Sequence, residues 1–184
     1  MIYKVENRNL YGMLTVDYDK LFEDALWKVL KQYSDNKIRF YSENDLLGHL
    51  FYECRRLMEE RRFPFPLKLY AERTVFDKHA KVDLVLGDDE ILVELKLEPD
   101  YPGVNKPVVF STKKEASGSG SIESDLEKIE TYARKGKSAH FVMIDEDGRH
   151  VRKICTEYWK SIPIKREDKQ KLAHYLHVKR KGRP

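Results

Sequence analysis

A mixed β-sheet flanked by α-helices, an α/β fold, is what this sequence predicts, on three observations. Apolar residues recur at helical spacing over Asp19–Gln32, from Ser42 to Met58, and over Ser124–Ala133. Short β-rich runs stand between and after them at Leu67–Phe76, Val82–Leu86, Ile91–Leu97 and Ala139–Asp145. Their order is two helices, a strand, a hairpin, then a helix leading to a further strand, which calls for antiparallel pairs and one parallel crossover in the same sheet.

The first helix carries Leu21, Phe22, Ala25, Leu26, Val29 and Leu30 on one side, a stripe that packs beside the core. The second opens at Ser42, a good N-cap whose box-like N3 partner is Asp45, one carbon shorter than the usual glutamate. It continues through Leu46, Leu47, Leu50, Phe51, Cys54, Leu57 and Met58. Arg61-Arg62-Phe63-Pro64-Phe65-Pro66 breaks the pattern and leads into the strand Leu67–Phe76. Gly87-Asp88-Asp89-Glu90 is turn chemistry between two β-rich runs and predicts a hairpin. Glu98–Gly120, with Pro99, Pro102, Gly103, Pro107 and Ala116-Ser117-Gly118-Ser119-Gly120, has the composition of a long loop, either a substrate clamp or a solvated excursion.

The helix that follows stops at Gly136, a C′ glycine. Ala139–Asp145 is then nearly continuous in apolar residues, as a strand buried on both faces and parallel to the Glu94 strand would be. A last strand, Val151–Cys155, is expected after the Glu146-Asp147-Gly148 turn, and a C-terminal helix over 165–177 closes a single domain of residues 1–178. Residues 179–184 form a basic tail.

Three charges interrupt the hairpin. Symmetric closure pairs Leu86 with Ile91, Leu84 with Val93, Val82 with Leu95, and Asp83 with Glu94. One face then holds Val82, Leu84, Leu86, Ile91, Val93, Leu95 and Leu97, and the other Asp83, Glu94, Lys96 and Glu98 beside Val85 and Leu92. Unpaired charges on a half-buried face cost several kcal/mol each, so these residues point to chemistry. Two opposed carboxylates with a backbone carbonyl, that of Leu95, suit Mg²⁺ or Mn²⁺, and no His/Cys cluster of zinc spacing suggests a softer metal. Lys96, two residues from Glu94 on the same face, is placed to orient or help deprotonate a water, or to stabilise charge on a phosphoryl oxygen. The plainer reading is a solvated strand face with a salt-bridge cluster.

Asp83, followed after a short hairpin by Glu94-Leu95-Lys96, resembles the D…(D/E)-x-K signature of the PD-(D/E)XK nuclease superfamily, which includes restriction endonucleases and archaeal Holliday-junction resolvases. The resemblance runs from about Ser42 to Asp145, with Val82 where the motif's proline would stand. It implies a restriction-endonuclease-like fold, Asp83 and Glu94 as metal ligands and Lys96 as the catalytic lysine. Members often carry a further acid on the helix before the core sheet, which here directs attention to Glu43. Glu43 is either that ligand or a first-turn acid favoured by the helix dipole. Glu72 is the other candidate, and a cross-strand pair with a neighbouring base is its bland explanation. A polar residue from the later helix points to Lys128, which a local pair with Asp125 would also explain.

Charged residues make up 36% of the 184, yet the formal charge is only +4, so the basic excess is local. It gathers towards the end in Lys179, Arg180, Lys181 and Arg183, residues suited to phosphate contacts, and Gly182-Arg183-Pro184 resembles the core of an AT-hook. Cys54 and Cys155 are far apart, and with no signal-peptide pattern they argue for a reducing cytoplasm. The six histidines read as surface residues, and no apolar stretch reaches transmembrane length. No P-loop, dinucleotide fingerprint or nucleophile elbow is present. The expectation is a Mg²⁺-dependent endodeoxyribonuclease acting on DNA, dimeric if it cuts both strands; the alternative is a nuclease-like DNA-binding or adaptor module that does not cut.

Overall fold

The computed structural model describes residues 16–76, 81–100, 121–151, 154, 157–166 and 169–182. Helices α1 (Tyr18–Ser34) and α2 (Glu43–Glu60) come first, then strands β1 (Leu69–Thr74), β2 (Lys81–Leu86) and β3 (Ile91–Glu98). Helix α3 (Ile122–Arg134) leads into β4 (Ser138–Asp145), and β5 (Trp159–Arg166) and β6 (Lys169–Arg180) complete the chain. The six strands form one mixed sheet in the order β1-β2-β3-β4-β6-β5. Only β3 and β4 run parallel, joined across α3; every other neighbouring pair is antiparallel.

Sheet and helices meet in two cores. Helices α1 and α2 cover one face, where Phe22, Val29, Leu46 and Leu50 pack against Leu84, Val93, Leu95 and Val142. Helix α3 covers the other, bringing Ile122, Ile129 and Tyr132 against Val85, Leu92, Phe141 and Met143. Strand β3 is buried along its whole length, its apolar residues split between the two cores. Each fully buried leucine or valine here contributes about 2 kcal/mol by removal from water.

Local signals set the ends of the helices. Ser42 and Asp45 form the expected capping box, with the Ser42 hydroxyl accepting the Asp45 amide and the Asp45 carboxylate accepting the Ser42 amide. Gly136 follows α3 with a φ of 80°, the left-handed conformation that a C′ residue needs and glycine adopts without strain.

The hairpin register is as expected at Leu84–Val93, Val85–Leu92 and Leu86–Ile91, and the ladder ends there. Asp83 and Glu94 are not paired across it: the Asp83 carboxylate takes the Leu95 amide at 2.7 Å, so a side chain stands where a backbone carbonyl would bond. Val82 departs as well. It lies in the α3-side core with Val75, Val85 and Leu92 rather than on the α2 side.

The C-terminal helix expected over 165–177 is not formed. The described residues of that span, 165–166 and 169–177, belong to β5 and β6, paired from Trp159–Leu176 to Arg166–Lys169. Lys179 and Arg180 are therefore strand residues, opposite His140 and Ala139 of β4, and not part of a tail. Gly182 lies so close to the turn after α3 that a Cβ would stand 2.2 Å from the Gly136 carbonyl carbon. Of the strand expected over Val151–Cys155, Val151 and Ile154 are described and neither is in a strand: Val151 lies in a turn, and the Ile154 amide bonds to the His150 carbonyl. Asp145 explains this, because its carboxylate gathers the amides of Arg149, His150 and Val151 and pulls the chain into a tight loop. Residues 101–120 of the expected long loop, Cys155 and Arg183 lie outside the described residues. No helix among the described residues is long and apolar enough to cross a membrane.

Candidate functional site

The charged face of the hairpin sits where β2 begins and β3 ends. Beyond Leu84–Val93 the two strands are no longer laddered, and the N-terminus of α2 reaches the opening while α3 lies across the sheet face. Asp83, Glu94, Lys96 and Glu43, chosen from sequence, come together there. Glu94 is almost fully buried at 2% exposure; the Tyr132 hydroxyl donates to its Oε1 at 2.9 Å and Lys128 Nζ to its Oε2 at 3.2 Å. Lys96 Nζ lies 3.2 Å from Asp125 Oδ2 and 3.5 Å from Glu43 Oε2, and it donates to the Leu95 carbonyl at 3.1 Å. Lys128 Nζ also reaches Asp125 Oδ1 at 2.7 Å.

Burial and mutual repulsion dominate the electrostatics. Burial pushes the Glu94 carboxyl up to about 7; Lys128 pulls it down, while Asp83 and Asp125 add to the rise. Asp83 is raised by burial against the opposing pull of the Leu95 amide, Lys96 and Lys128. Glu43 is raised by burial and by Asp83 and Asp125, with Lys96 pulling the other way. Burial alone would lower Lys96, yet Asp125, Glu43 and Asp83 together hold it above the ordinary lysine range. The same balance holds for Lys128, where Glu94 and Asp125 outweigh burial. Four carboxylates thus face two ammonium groups, a formal excess of two negative charges.

That donor set suits a hard divalent cation. As they stand, however, no three His, Cys, Asp or Glu side chains among the described residues are arranged to enclose a metal ion. The Leu95 carbonyl already accepts from Lys96 and has one further lone pair to offer. Among the described residues the Asp83 carboxylate has one hydrogen-bond partner, the Leu95 amide, through Oδ2.

Other sequence candidates lie elsewhere. Glu72 has a φ of 52° that turns it out of the β1–β2 ladder, and it pairs with Lys81 at 2.9 Å, away from the cluster. Lys179 is held by Glu23 at 2.7 Å and Asp19 at 3.3 Å, and Arg180 is ion-paired to Glu130. Lys181 is exposed. His140 and His150 are fully buried, contrary to a surface reading of the histidines.

Two site residues were missed. Asp125 and Tyr132 stand on the same stripe of α3 as Ile122 and Ile129, at spacings of three, four and three, and all four are buried. A lone acid on an otherwise apolar helical stripe is the available signal, and the local pair that explains Lys128 hides it.

Comparison of the chain with protein-family models, with curated proteins and with solved structures returned no match.

Proposed function

We propose that this protein is a Mg²⁺- or Mn²⁺-dependent endodeoxyribonuclease of the PD-(D/E)XK type, with a restriction-endonuclease-like sheet, hydrolysing DNA phosphodiester bonds. One observation carries the reading: Asp83, Glu94, Lys96 and Glu43 converge at the mouth of the hairpin in a half-buried cluster whose carboxylates outnumber its ammonium groups. A purely structural ion cluster gains nothing from an uncompensated buried charge.

Asp83 and Glu94, with the Leu95 carbonyl, would hold the cation, and Glu43 stands beside them as a further oxygen donor. When bound, the cation supplies a water of lowered pKa and neutralises charge on the phosphoryl oxygens. The protein's own part is positioning. Tyr132 and Lys128 fix the Glu94 carboxylate, Asp83 is oriented by the Leu95 amide, and Lys96 keeps a full positive charge beside the place where phosphate charge would grow. Lys128, 41% exposed, is the cation of the cluster best able to meet a DNA phosphate, and Lys181 offers a second such contact. Lys179 and Arg180 already serve ion pairs within the protein. A homodimer is expected if both strands of a duplex are cut.

Supercoiled plasmid and a branched DNA, incubated with Mg²⁺ or Mn²⁺, test this directly. Wild type should nick, and Asp83→Ala and Lys96→Ala should each lose about a hundredfold or more of the rate while remaining folded. The second reading, a DNA-binding module that does not cut, draws on the fact that both Glu94 oxygens already have partners. Intact DNA binding without cleavage by wild type would favour it.

A further inference from the structure

Lys96 and Lys128 share one buried partner, and it is not one of the acids of the hairpin. Asp125 is 1% exposed, with Oδ2 3.2 Å from Lys96 and Oδ1 2.7 Å from Lys128. Both contacts are short ion pairs largely shielded from water on the carboxylate side. An acid sunk this far below the surface attracts an ammonium more strongly than one at the rim, because less water screens the pair. Lys96 projects from β3 on the same face as Glu94; after Asp125 its nearest acid is Glu43 of α2 at 3.5 Å, and Asp83 and Glu94 of the hairpin are the others within its reach. An ammonium settled on Asp83 or Glu94 would occupy oxygens that a cation needs.

Resting on the nuclease reading above, we infer that Asp125 is a positioning residue of this site. It holds both ammonium groups on the α3 side, so that among the described residues Asp83 has no lysine within ion-pair distance and Glu94 has Lys128 alone. Helix α3 thereby does two things to the hairpin: Tyr132 and Lys128 orient Glu94, and Asp125 draws Lys96 away from Asp83 and Glu94. The arrangement also explains why a carboxylate is tolerated on an apolar helical stripe. Two cations within 3.2 Å of it, one nearly buried and one partly exposed, offset the desolvation it would otherwise suffer.

The test compares wild type, D125N, K128M and D125N/K128M in plasmid cleavage, with Mn²⁺ affinity measured by titration of the paramagnetic ion. D125N keeps the volume and removes the charge. It should lower kcat by about ten- to a hundredfold, as loss of a residue supporting metal ligands does, with KM for DNA within about twofold and Mn²⁺ binding weakened. D125N/K128M removes one ammonium together with the carboxylate and should recover part of both losses, which a packing defect would not allow. If D125N fails to fold, the double variant carries the test through its cleavage and Mn²⁺ affinity relative to K128M. Wild-type rates in D125N, or a double variant no better than D125N or no worse than K128M, would overturn this inference alone. A wild type that neither cleaves DNA nor binds Mn²⁺ would overturn the nuclease reading and this inference with it.

Discussion

Glu94 shows how much depends on a single contact. Its carboxyl is buried on a strand that is otherwise core, and Tyr132 Oη donates to it from a ring that is itself only 4% exposed. Burial and the neighbouring Glu94 charge push the tyrosine's own pKa well up, so the phenol remains a donor across the accessible pH range. A hydrogen bond to an ionised carboxylate contributes about 2 kcal/mol, and one to the neutral acid about 1 kcal/mol. Because Glu94 titrates near 7, it is largely ionised at pH 8 and protonated at pH 5. Tyr132→Phe should therefore destabilise the metal-free protein more at pH 8 than at pH 5, by about 1 kcal/mol, in urea unfolding followed at both pH values. An equal loss at both would mean that the hydroxyl does not sense the charge on Glu94.

At the scale of elements, α2 delivers Glu43 because its capping box fixes where the helix starts. The Asp45 carboxylate accepts from the amides of Tyr41 and Ser42 at 2.8 and 2.9 Å, and Ser42 Oγ accepts the Asp45 amide at 3.3 Å. Ser42→Ala should cost about 1 kcal/mol in chemical denaturation, and Asp45→Ala more, since it releases two backbone donors at once. A Ser42→Ala loss under a few tenths of a kcal/mol would show that the Asp45 half of the box suffices. The box was legible because it is local, four residues in a row. So was the centre of the sheet, where β2, β3 and β4 are β-rich runs. Strand β6 was not, for a physical reason. Ala173, Leu176 and Val178 are buried in different cores while Leu172 is exposed, so a strand covered on both faces shows no alternation, and its leucine and alanine spacing imitates a helix. The end of the hairpin ladder at Leu84–Val93 was equally hidden. Symmetric closure follows from a turn, whereas the departure at Asp83 follows from a side chain bonding to a backbone amide. That contact also frees the two carboxylates from facing each other directly, which two like charges resist.

Across the whole molecule, α1 is tied to β4 and β6 by a chain of polar contacts under its first turns. Asp19 Oδ1 meets His140 Nε2 at 2.9 Å, and His140 Nδ1 meets His177 Nε2 at 2.9 Å, with the two rings stacked and Phe22 edge-on to both. Lys179 of β6 closes the circuit on Asp19 and Glu23 of α1. This is where the basic end of the chain is engaged, fastening the sheet to the helix layer. Burial lowers His177 to about 4, helped by His140, Lys179 and Lys160 and opposed by Glu23. Between about 4 and the ordinary 6.5, the unfolded chain therefore binds a proton that the folded chain does not, and stability rises with pH through that window. The contribution is fully present above 6.5 and lost as pH falls towards 4, a change of about 3 kcal/mol for a group shifted this far. Asp19 works in the same direction lower down. Burial opposes its ionisation, but His140 and Lys179 outweigh that and hold it at about 2, so its contribution is present above the ordinary 3.8 and fades below it. His177→Gln keeps a donor and acceptor at the site without a titrating ring, and it should flatten the stability profile between pH 6.5 and 4 while leaving the slope below pH 4 in place. The readout is the urea midpoint at a series of pH values. A variant whose profile tracks wild type through that window would assign the acid sensitivity to other groups, and the contacts beneath α1 would then hold the layers together without sensing protons.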